Sequence, residues 1–252
     1  MNAETRTSRK LAYAVAGALL LVVVAQLIGQ FELAGRAWPP LTEVFAYVST
    51  PSGGSLIWRN LLVTLAAAGQ GFVLGTAVAL IGATLALLLP ILRPGLDRFA
   101  AILHAVPTIA LAPLLITTAG REGTPAVIAA LSVGFVMFVS LASGFANTSG
   151  AHQDLLTVFG SNRLRRLTLL ELPRAVPAFL DGLALAAPAA ILGATIGEWF
   201  GAPQGIGLLL VSAMQNYQMA LLWAAALAAT VASLLAYLIL VQIQRLAVRR
   251  FS

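Results

Sequence analysis

Residues 154–173 read DLLTVFGSNRLRRLTLLELP and lie between two long apolar runs of this 252-residue chain. Leu155, Leu156 and Phe159 stand at i, i+1 and i+4, so a helix here would present an apolar stripe to a groove in a partner. Gly160 follows, and glycine permits a tight or left-handed turn that a side chain would resist. The stretch therefore predicts a short protruding helix, a turn, and a return to the next apolar run.

The composition of the whole chain is unlike that of a water-soluble protein. The chain is 60% hydrophobic and 10% charged, whereas a soluble domain carries about 25% charged residues. So few charges do not cover the surface of a soluble globule, and much of this surface must face lipid. The chain contains no cysteine, which excludes disulfides and cysteine-ligated metals.

Six apolar stretches are long enough to cross the hydrocarbon core, which needs about 20 residues. They are residues 11–30, 61–89, 99–119, 126–147, 178–200 and 219–242. The first follows basic residues as a signal peptide would, but its apolar run is longer than a signal core and no small-x-small cleavage site follows. We therefore predict a retained first helix and an all-α polytopic membrane protein with a single transmembrane domain over residues 1–252.

The longest predicted external loop, residues 31–60, contains a further element. Leu41, Val44, Phe45 and Val48 recur at helical spacing after the segment WPP at 38–40. This pattern predicts a short helix at the outer membrane interface, where tryptophan and tyrosine are enriched. The segment PSGG at 51–54 predicts a turn before the second span.

The basic residues indicate the orientation of the spans. With six spans, both termini share one side with the loops after the second and fourth spans. That side contains twelve basic residues and the other three: Arg6, Arg9, Lys10, Arg93, Arg98, Arg163, Arg165, Arg166, Arg174, Arg245, Arg249 and Arg250 against Arg36, Arg59 and Arg121. Because basic residues are enriched in cytoplasmic loops, both termini and residues 154–173 are predicted to be cytoplasmic. Nucleic-acid binding is not predicted, since these charges flank spans instead of covering one soluble face.

The spacing within residues 154–173 resembles the cytoplasmic loop by which permease subunits of ABC importers dock onto their ATPase. The family pattern is Glu-Ala-Ala, three residues, Gly, nine residues, then Ile-x-Leu-Pro. Gly160, Leu172 and Pro173 fall in register with it. Asp154 replaces the glutamate, two leucines replace the alanines, and Leu170 replaces the isoleucine.

The resemblance implies that this loop, at about residues 150–174, couples the chain to an ATPase. The implied coupling residues are Asp154, Leu155, Leu156, Phe159, Gly160, Arg163, Leu172 and Pro173. Pro173 and Pro177 are predicted to lie in the first turn of the next helix, where a missing N–H costs little. An ordinary interfacial helix is the alternative, and the arginines fit an ATPase surface, lipid phosphates, or both.

Other segments resemble the nitrate/sulfonate/taurine branch of these permeases. They are HAVPTIALAPL at 104–114, EWFG at 198–201 and GIG at 205–207, the last interpreted as a turn between spans. The chain departs from the branch at GREG, residues 120–123, and at Ala184. The resemblance covers most of the chain beyond the first span.

The resemblance implies a type I importer permease: a five-helix core at about residues 61–246 with an extra N-terminal helix at about 11–30. It implies two permease copies, two cytoplasmic ATPase copies that bind the ATP, an external or periplasmic solute-binding protein, and location in the cell (inner) membrane. No cofactor and no catalytic site are expected on this chain. Cargo in the branch ranges from nitrate, bicarbonate and sulfonates to pyrimidine vitamin precursors and flavins.

Four residues of the third predicted span are candidates for the solute pathway or its gate. Pro107 and Pro113 are predicted to bend the helix from within, because an interior proline removes a hydrogen bond. His104 and Thr108, one turn apart, border this bend. A static bend and a packing histidine are the alternatives.

Two further features bear on packing and on function class. Gly71 and Gly75 form a small-residue face with Ala67 and Ala79, which favours close packing within one subunit over a dimer seam. Glu198, at the outer end of the fifth span, is expected to reach water and to serve as a hinge or packing residue.

The chain has no phosphate-binding loop and no convincing mid-membrane titratable residue. The second of these absences argues against a secondary carrier. A secondary transporter or channel without an ATPase partner is kept as the alternative function, and a structural membrane subunit with no pathway is a further alternative.

Overall fold

The computed structural model describes residues 3–146 and 170–251, with residues 158, 161, 162 and 165 between them. Within these residues the secondary structure is helical, and the long elements are eight helices. They are α1 Ala3–Gln30, α2 Leu41–Ser49, α3 Pro51–Leu88, α4 Arg93–Ala105, α5 Thr108–Ala146, α6 Leu172–Glu198, α7 Ile206–Gln215 and α8 Met219–Phe251. The all-α architecture predicted from the sequence is confirmed.

Five described helices are long and apolar enough to cross a membrane. These spans are Ala12–Gln30, Pro51–Leu88, Thr108–Phe145, Leu172–Glu198 and Met219–Ala247, with mean hydropathies between 1.8 and 2.3. The third of them contains Gly120, whose φ of 73° and ψ of 173° are not helical. This break separates the predicted third span from the predicted fourth, so the structure accommodates six crossings.

The boundaries of the third predicted span differ from the prediction. Helix α4 ends at Ala105, Val106 is extended with φ −72° and ψ 124°, and α5 begins at Thr108. Pro107 therefore lies between two helices, and its predicted position inside one is wrong. The physical reason is that proline disfavours the helical conformation of the residue before it. Pro113 does lie inside a helix, as predicted.

Helix α3 begins earlier than the predicted residue 61. The segment at 51–54, predicted to be a turn, is its first turn, and Pro51 is the first helical residue. Proline suits this position because its missing N–H would have no partner within the helix. Glycine at position 53 instead lets the start of α3 lie close to the end of α2, because a Cβ added to Gly53 would lie 2.3 Å from the Tyr47 carbonyl oxygen.

The described residues form two compact units, one within Met1–Trp58 and Leu209–Leu227 and the other within Arg59–Leu208 and Ala228–Ser252. In the first unit, the predicted short helix is present as α2. Its Thr42 exchanges two hydrogen bonds of 3.1 Å with the Gln26 side chain of α1. The indole N–H of Trp38 donates to the Ala25 carbonyl at 3.1 Å. These contacts attach α2 and the preceding loop to the end of α1.

The core of the second unit is built from small residues on facing helices. A Cβ added to Gly71 of α3 would lie 2.4 Å from the Ala129 Cβ of α5, and one added to Gly75 would lie 2.5 Å from the Ala130 carbonyl oxygen. The prediction that this glycine face packs within one subunit is therefore confirmed. Helices without side chains at the contact approach closely, which strengthens packing in lipid.

Candidate functional site

The predicted coupling residues fall in two groups. Leu172 and Pro173 are described, whereas Asp154, Leu155, Leu156, Phe159, Gly160 and Arg163 lie outside the described residues. The docking role of the loop therefore stays a prediction.

Leu172 and Pro173 begin α6, and proline here occupies one of its first two positions. The Leu172 side chain is half-exposed, whereas the preceding Leu170 and Glu171 are buried. Pro177 lies inside the helix and not in its first turn, so that part of the prediction is wrong. Pro173 thus restricts the backbone at the start of α6, and the Leu172 side chain there is accessible to a partner.

The start of α6 packs directly on the end of α5. Ala175 is buried, and a Cβ added to Gly144 of α5 would lie 2.8 Å from the Ala178 Cβ. Such a contact leaves no space for the helices to slide independently, because packed interiors resist compression. A displacement at Leu172 would therefore reach α5 as well as α6.

The predicted pathway residues lie around the break between α4 and α5. His104 is exposed in the last turn of α4 and stacks on Phe135 of α5, with ring centroids 3.7 Å apart and the planes inclined by 3°. Thr108 begins the next helix, so His104 and Thr108 are not on one continuous helix. Pro107 and Pro113 are exposed. Their role in the pathway or gate stays a prediction.

Phe135 also lines a cavity of about 170 Å³ between α3, α4 and α5. The residues that line it are aliphatic, aromatic or glycine: Val78, Ala79, Gly82, Leu96, Phe99, Ala100, Leu103, Ala130, Leu131, Gly134, Phe135 and Phe138. Side chains of this kind offer no hydrogen bonds, whereas solute sites combine apolar walls with a few polar groups. Its lining therefore does not by itself favour a polar solute.

Glu198 occupies a different environment from the one expected. Its side chain is only 1% exposed, so the prediction that it reaches water is wrong. Its Oε2 accepts a hydrogen bond from the Gly207 N–H at 2.7 Å and one from the Thr64 hydroxyl at 3.0 Å. The sequence contained a signal for this cluster, because Asn60 and Thr64 are polar residues one helical turn apart beside an apolar run.

The GIG segment at 205–207 is also more than the predicted turn. Ile206 and Gly207 begin α7, a ten-residue helix that ends at Gln215. The described residues hold no group of three or more His, Cys, Asp or Glu side chains placed to bind a metal ion.

Comparison with known proteins places this arrangement among transport proteins. Residues 71–252 match the sequence profile described as "Binding-protein-dependent transport system inner membrane component". The chain is 36% identical over 191 residues to a "Probable ABC transporter permease protein" of Haemophilus influenzae. The aligned residues cover 72% of this chain and 75% of that protein.

Two further relatives are named for a transported solute. The "Riboflavin transport system permease protein RibX" of Chloroflexus aurantiacus is 29% identical over 86% of this chain and 77% of its own length. The "Putative aliphatic sulfonates transport permease protein SsuC" of Bacillus subtilis is 25% identical over 79% of this chain and 73% of its own length. Both relatives are named as transport permease proteins, but the names give different transported solutes.

A solved structure supports the fold. A chain of the MetNI methionine ABC transporter, in inward-facing conformations, superposes with a TM-score of 0.59. The match covers 76% of this chain and 94% of that chain, at 14% sequence identity. The chain therefore shares its helical fold with a chain of that transporter.

Proposed function

Because the chain belongs to the family of binding-protein-dependent transport inner membrane components, we propose that it is the transmembrane permease subunit of an ATP-driven importer. It receives a small solute from an external binding protein and moves it into the cytoplasm by alternating access. The family match over residues 71–252 carries this proposal. The chain is a multi-pass inner-membrane protein, with both termini proposed to be cytoplasmic.

A partner supplies the energy in this proposal. The sequence contains no Gly-x-x-x-x-Gly-Lys-Ser/Thr phosphate loop, the segment that P-loop ATPases use to hold nucleotide phosphates. A cytoplasmic ATPase, present in two copies beside two copies of this chain, therefore binds and hydrolyses the ATP. The loop at about residues 150–174 is the proposed contact, and the stiff start of α6 supports it because a force there reaches two packed helices.

The substrate is proposed only as a class. We propose a small sulfonate, taurine or nitrate-type anion, or a small organic molecule resembling a vitamin precursor. The names of the relatives support both classes, since one is named for riboflavin and another for aliphatic sulfonates. Membership of the transport family does not identify the transported solute, because proteins with one fold differ in substrate specificity.

Reconstitution tests the proposal. The chain is incorporated into proteoliposomes with a candidate ATPase and a candidate binding protein from the same organism, and uptake of radiolabelled taurine, an alkanesulfonate, nitrate and riboflavin is measured. We expect uptake of one solute that requires ATP and disappears when the phosphate-loop lysine of the ATPase is replaced. Uptake by the chain alone under a proton gradient would contradict the proposal and favour a secondary carrier or channel.

A further inference from the structure

The junction between α6 and α7 contains a polar cluster that the transport proposal does not use. The first N–H groups of a helix have no acceptor within that helix. Here three successive N–H groups donate to side chains of two other helices. The bonds are Gly205 N to Asn60 Oδ1 at 2.8 Å, Ile206 N to Thr64 Oγ1 at 2.8 Å, and Gly207 N to Glu198 Oε2 at 2.7 Å.

The three accepting side chains, Asn60 and Thr64 of α3 and Glu198 of α6, are called the α7 clasp. Two of its members are connected, because the Thr64 hydroxyl donates to Glu198 Oε2 at 3.0 Å while accepting from the Ile206 N–H. Thr64 and Glu198 are 0% and 1% exposed. Thr64 and Glu198 therefore form a connected, buried pair, and the partly buried Asn60 accepts the neighbouring Gly205 N–H beside them.

The backbone at this junction is shaped around the Glu198 carboxyl group. Gly205 has a φ of +131°, a conformation that L-residues with side chains rarely adopt. A Cβ added to Gly205 would lie 2.2 Å from Glu198 Cδ, and one added to Gly207 would lie 2.1 Å from the Thr195 carbonyl oxygen. Glycine at position 205 leaves room for the carboxyl group, and glycine at position 207 lets the start of α7 approach the α6 backbone closely.

Burial of this network makes it expensive to open. In the described part of the chain, Glu198 Oε1 is buried without a hydrogen-bond partner, so the site already bears a desolvation cost for keeping a carboxyl group. Separating α7 from the clasp would orphan three N–H groups in surroundings that contain little water to replace the lost acceptors. Motions in proteins use segments with a low free energy of local opening.

We propose that the α7 clasp fastens the first turn of α7 to α3 and α6, so that these three segments move as one body when the chain changes conformation. The role in transport rests on the proposed function, whereas the fastening itself rests on the hydrogen bonds.

Hydrogen–deuterium exchange of the full chain in lipid nanodiscs tests the fastening without any ATPase. Thr64→Val removes the shared hydroxyl, and we expect the amides of residues 205–207 to exchange about fivefold faster, the effect of one lost hydrogen bond. Thr195→Val is the matched control, because that buried hydroxyl donates to Ile191 O within α6, and it should leave these amides protected. Thr64→Ser should restore protection. Equal protection in wild type and Thr64→Val would overturn the proposal.

A disulfide tests whether the segments stay together during transport. The chain has no cysteine, so Thr64→Cys with Ile206→Cys introduces a single pair at a backbone-to-side-chain contact of 2.8 Å. Once mass spectrometry shows the disulfide, we expect ATP-driven uptake by the assembled transporter to be the same in the oxidised and reduced forms. Uptake lost on oxidation and restored by reductant would show that the clasp opens.

The two experiments separate this inference from the proposed function. If the wild-type assembly transports no solute, the proposed function fails, and the exchange measurement still decides whether the clasp fastens α7. If uptake is ATP-driven but the amides of residues 205–207 are unprotected, the clasp fails alone.

Discussion

Glycine residues at the contact between α5 and α6 determine how closely these helices approach. A Cβ added to Gly193 of α6 would lie 2.8 Å from the Ala129 Cα and 3.0 Å from the Ile128 carbonyl oxygen. Gly197 makes a similar contact, since a Cβ there would lie 2.5 Å from the Pro125 Cα. Without a hydrophobic driving force in lipid, helix association depends on such packing. The absence of a side chain at these positions therefore stabilises the core.

A single methyl group tests this dependence. Gly193→Ala should destabilise the chain by about 1–3 kcal/mol, because the backbone of α5 must move to admit the methyl. Gly69→Ala is the control, since no heavy atom lies within 4 Å of the added Cβ, and its higher helix propensity should leave stability unchanged or raised by up to about 1 kcal/mol. Thermal unfolding of the purified variants in one detergent is the measurement. Equal stability of the two variants would contradict the packing argument.

Helix α6 connects the predicted coupling loop to the core at the scale of a whole element. Its first turn contains Leu172 and Pro173, its second packs on the end of α5, and its last residue, Glu198, belongs to the α7 clasp. A helix with packed contacts at both ends passes a displacement on to its neighbours, because packed interiors resist compression. We therefore expect perturbation of the loop to weaken coupling without unfolding the core.

Two substitutions in the loop test the predicted docking helix. Gly160→Val should place a β-branched residue in a turn that glycine alone adopts cheaply, at a cost of about 1–3 kcal/mol, and Phe159→Ala should remove an apolar anchor. Both variants should insert normally but bind less ATPase, measured by co-purification at matched membrane levels. Gly95→Val in α4 is the control, because a Cβ there meets no heavy atom within 4 Å. Unchanged ATPase binding and transport in both loop variants would contradict the docking role predicted for residues 154–173.

The described helices differ in how much of each is enclosed by the chain itself. In the most apolar window of α5 and of α6, 39% of residues are buried, against 6% in α1 and 11% in α8. Apolar helices with so little burial must contact lipid or other subunits, because exposing this much apolar surface to water is unfavourable. Helices α5 and α6 are therefore the most enclosed of the described spans, whereas α1 and α8 leave most of their residues uncovered by the chain itself.

Cysteine labelling in intact cells tests the predicted orientation. Basic residues concentrate on one side of the predicted spans, so that side should be cytoplasmic. We expect single cysteines at Ser161 and Ser252 to be shielded from an impermeant thiol reagent and one at Ser52 to react. Permeabilised cells are the control, in which all three should be labelled. Reaction of Ser161→Cys from outside would overturn the orientation and the docking hypothesis together.

The sequence by itself determined the class, the helical content and the approximate positions of most spans. Apolar stretches of membrane-crossing length and scarce charge require lipid, and backbone hydrogen bonding in lipid requires helices. The motif at residues 154–173 and the GIG segment also indicated the family before any geometry was considered. These inferences depend on local composition and spacing, which a sequence displays directly.

Only the tertiary structure decided what the helix ends and the polar residues do. Whether Pro51 begins a helix or a turn depends on packing against Tyr47, and whether Glu198 reaches water depends on α3 and α7 closing over it. Asn60 and Glu198 are distant in the sequence, so no local pattern reveals that they accept neighbouring N–H groups. The physical reason is that burial and hydrogen-bond pairing are properties of contacts between distant segments, whereas hydropathy belongs to each segment alone.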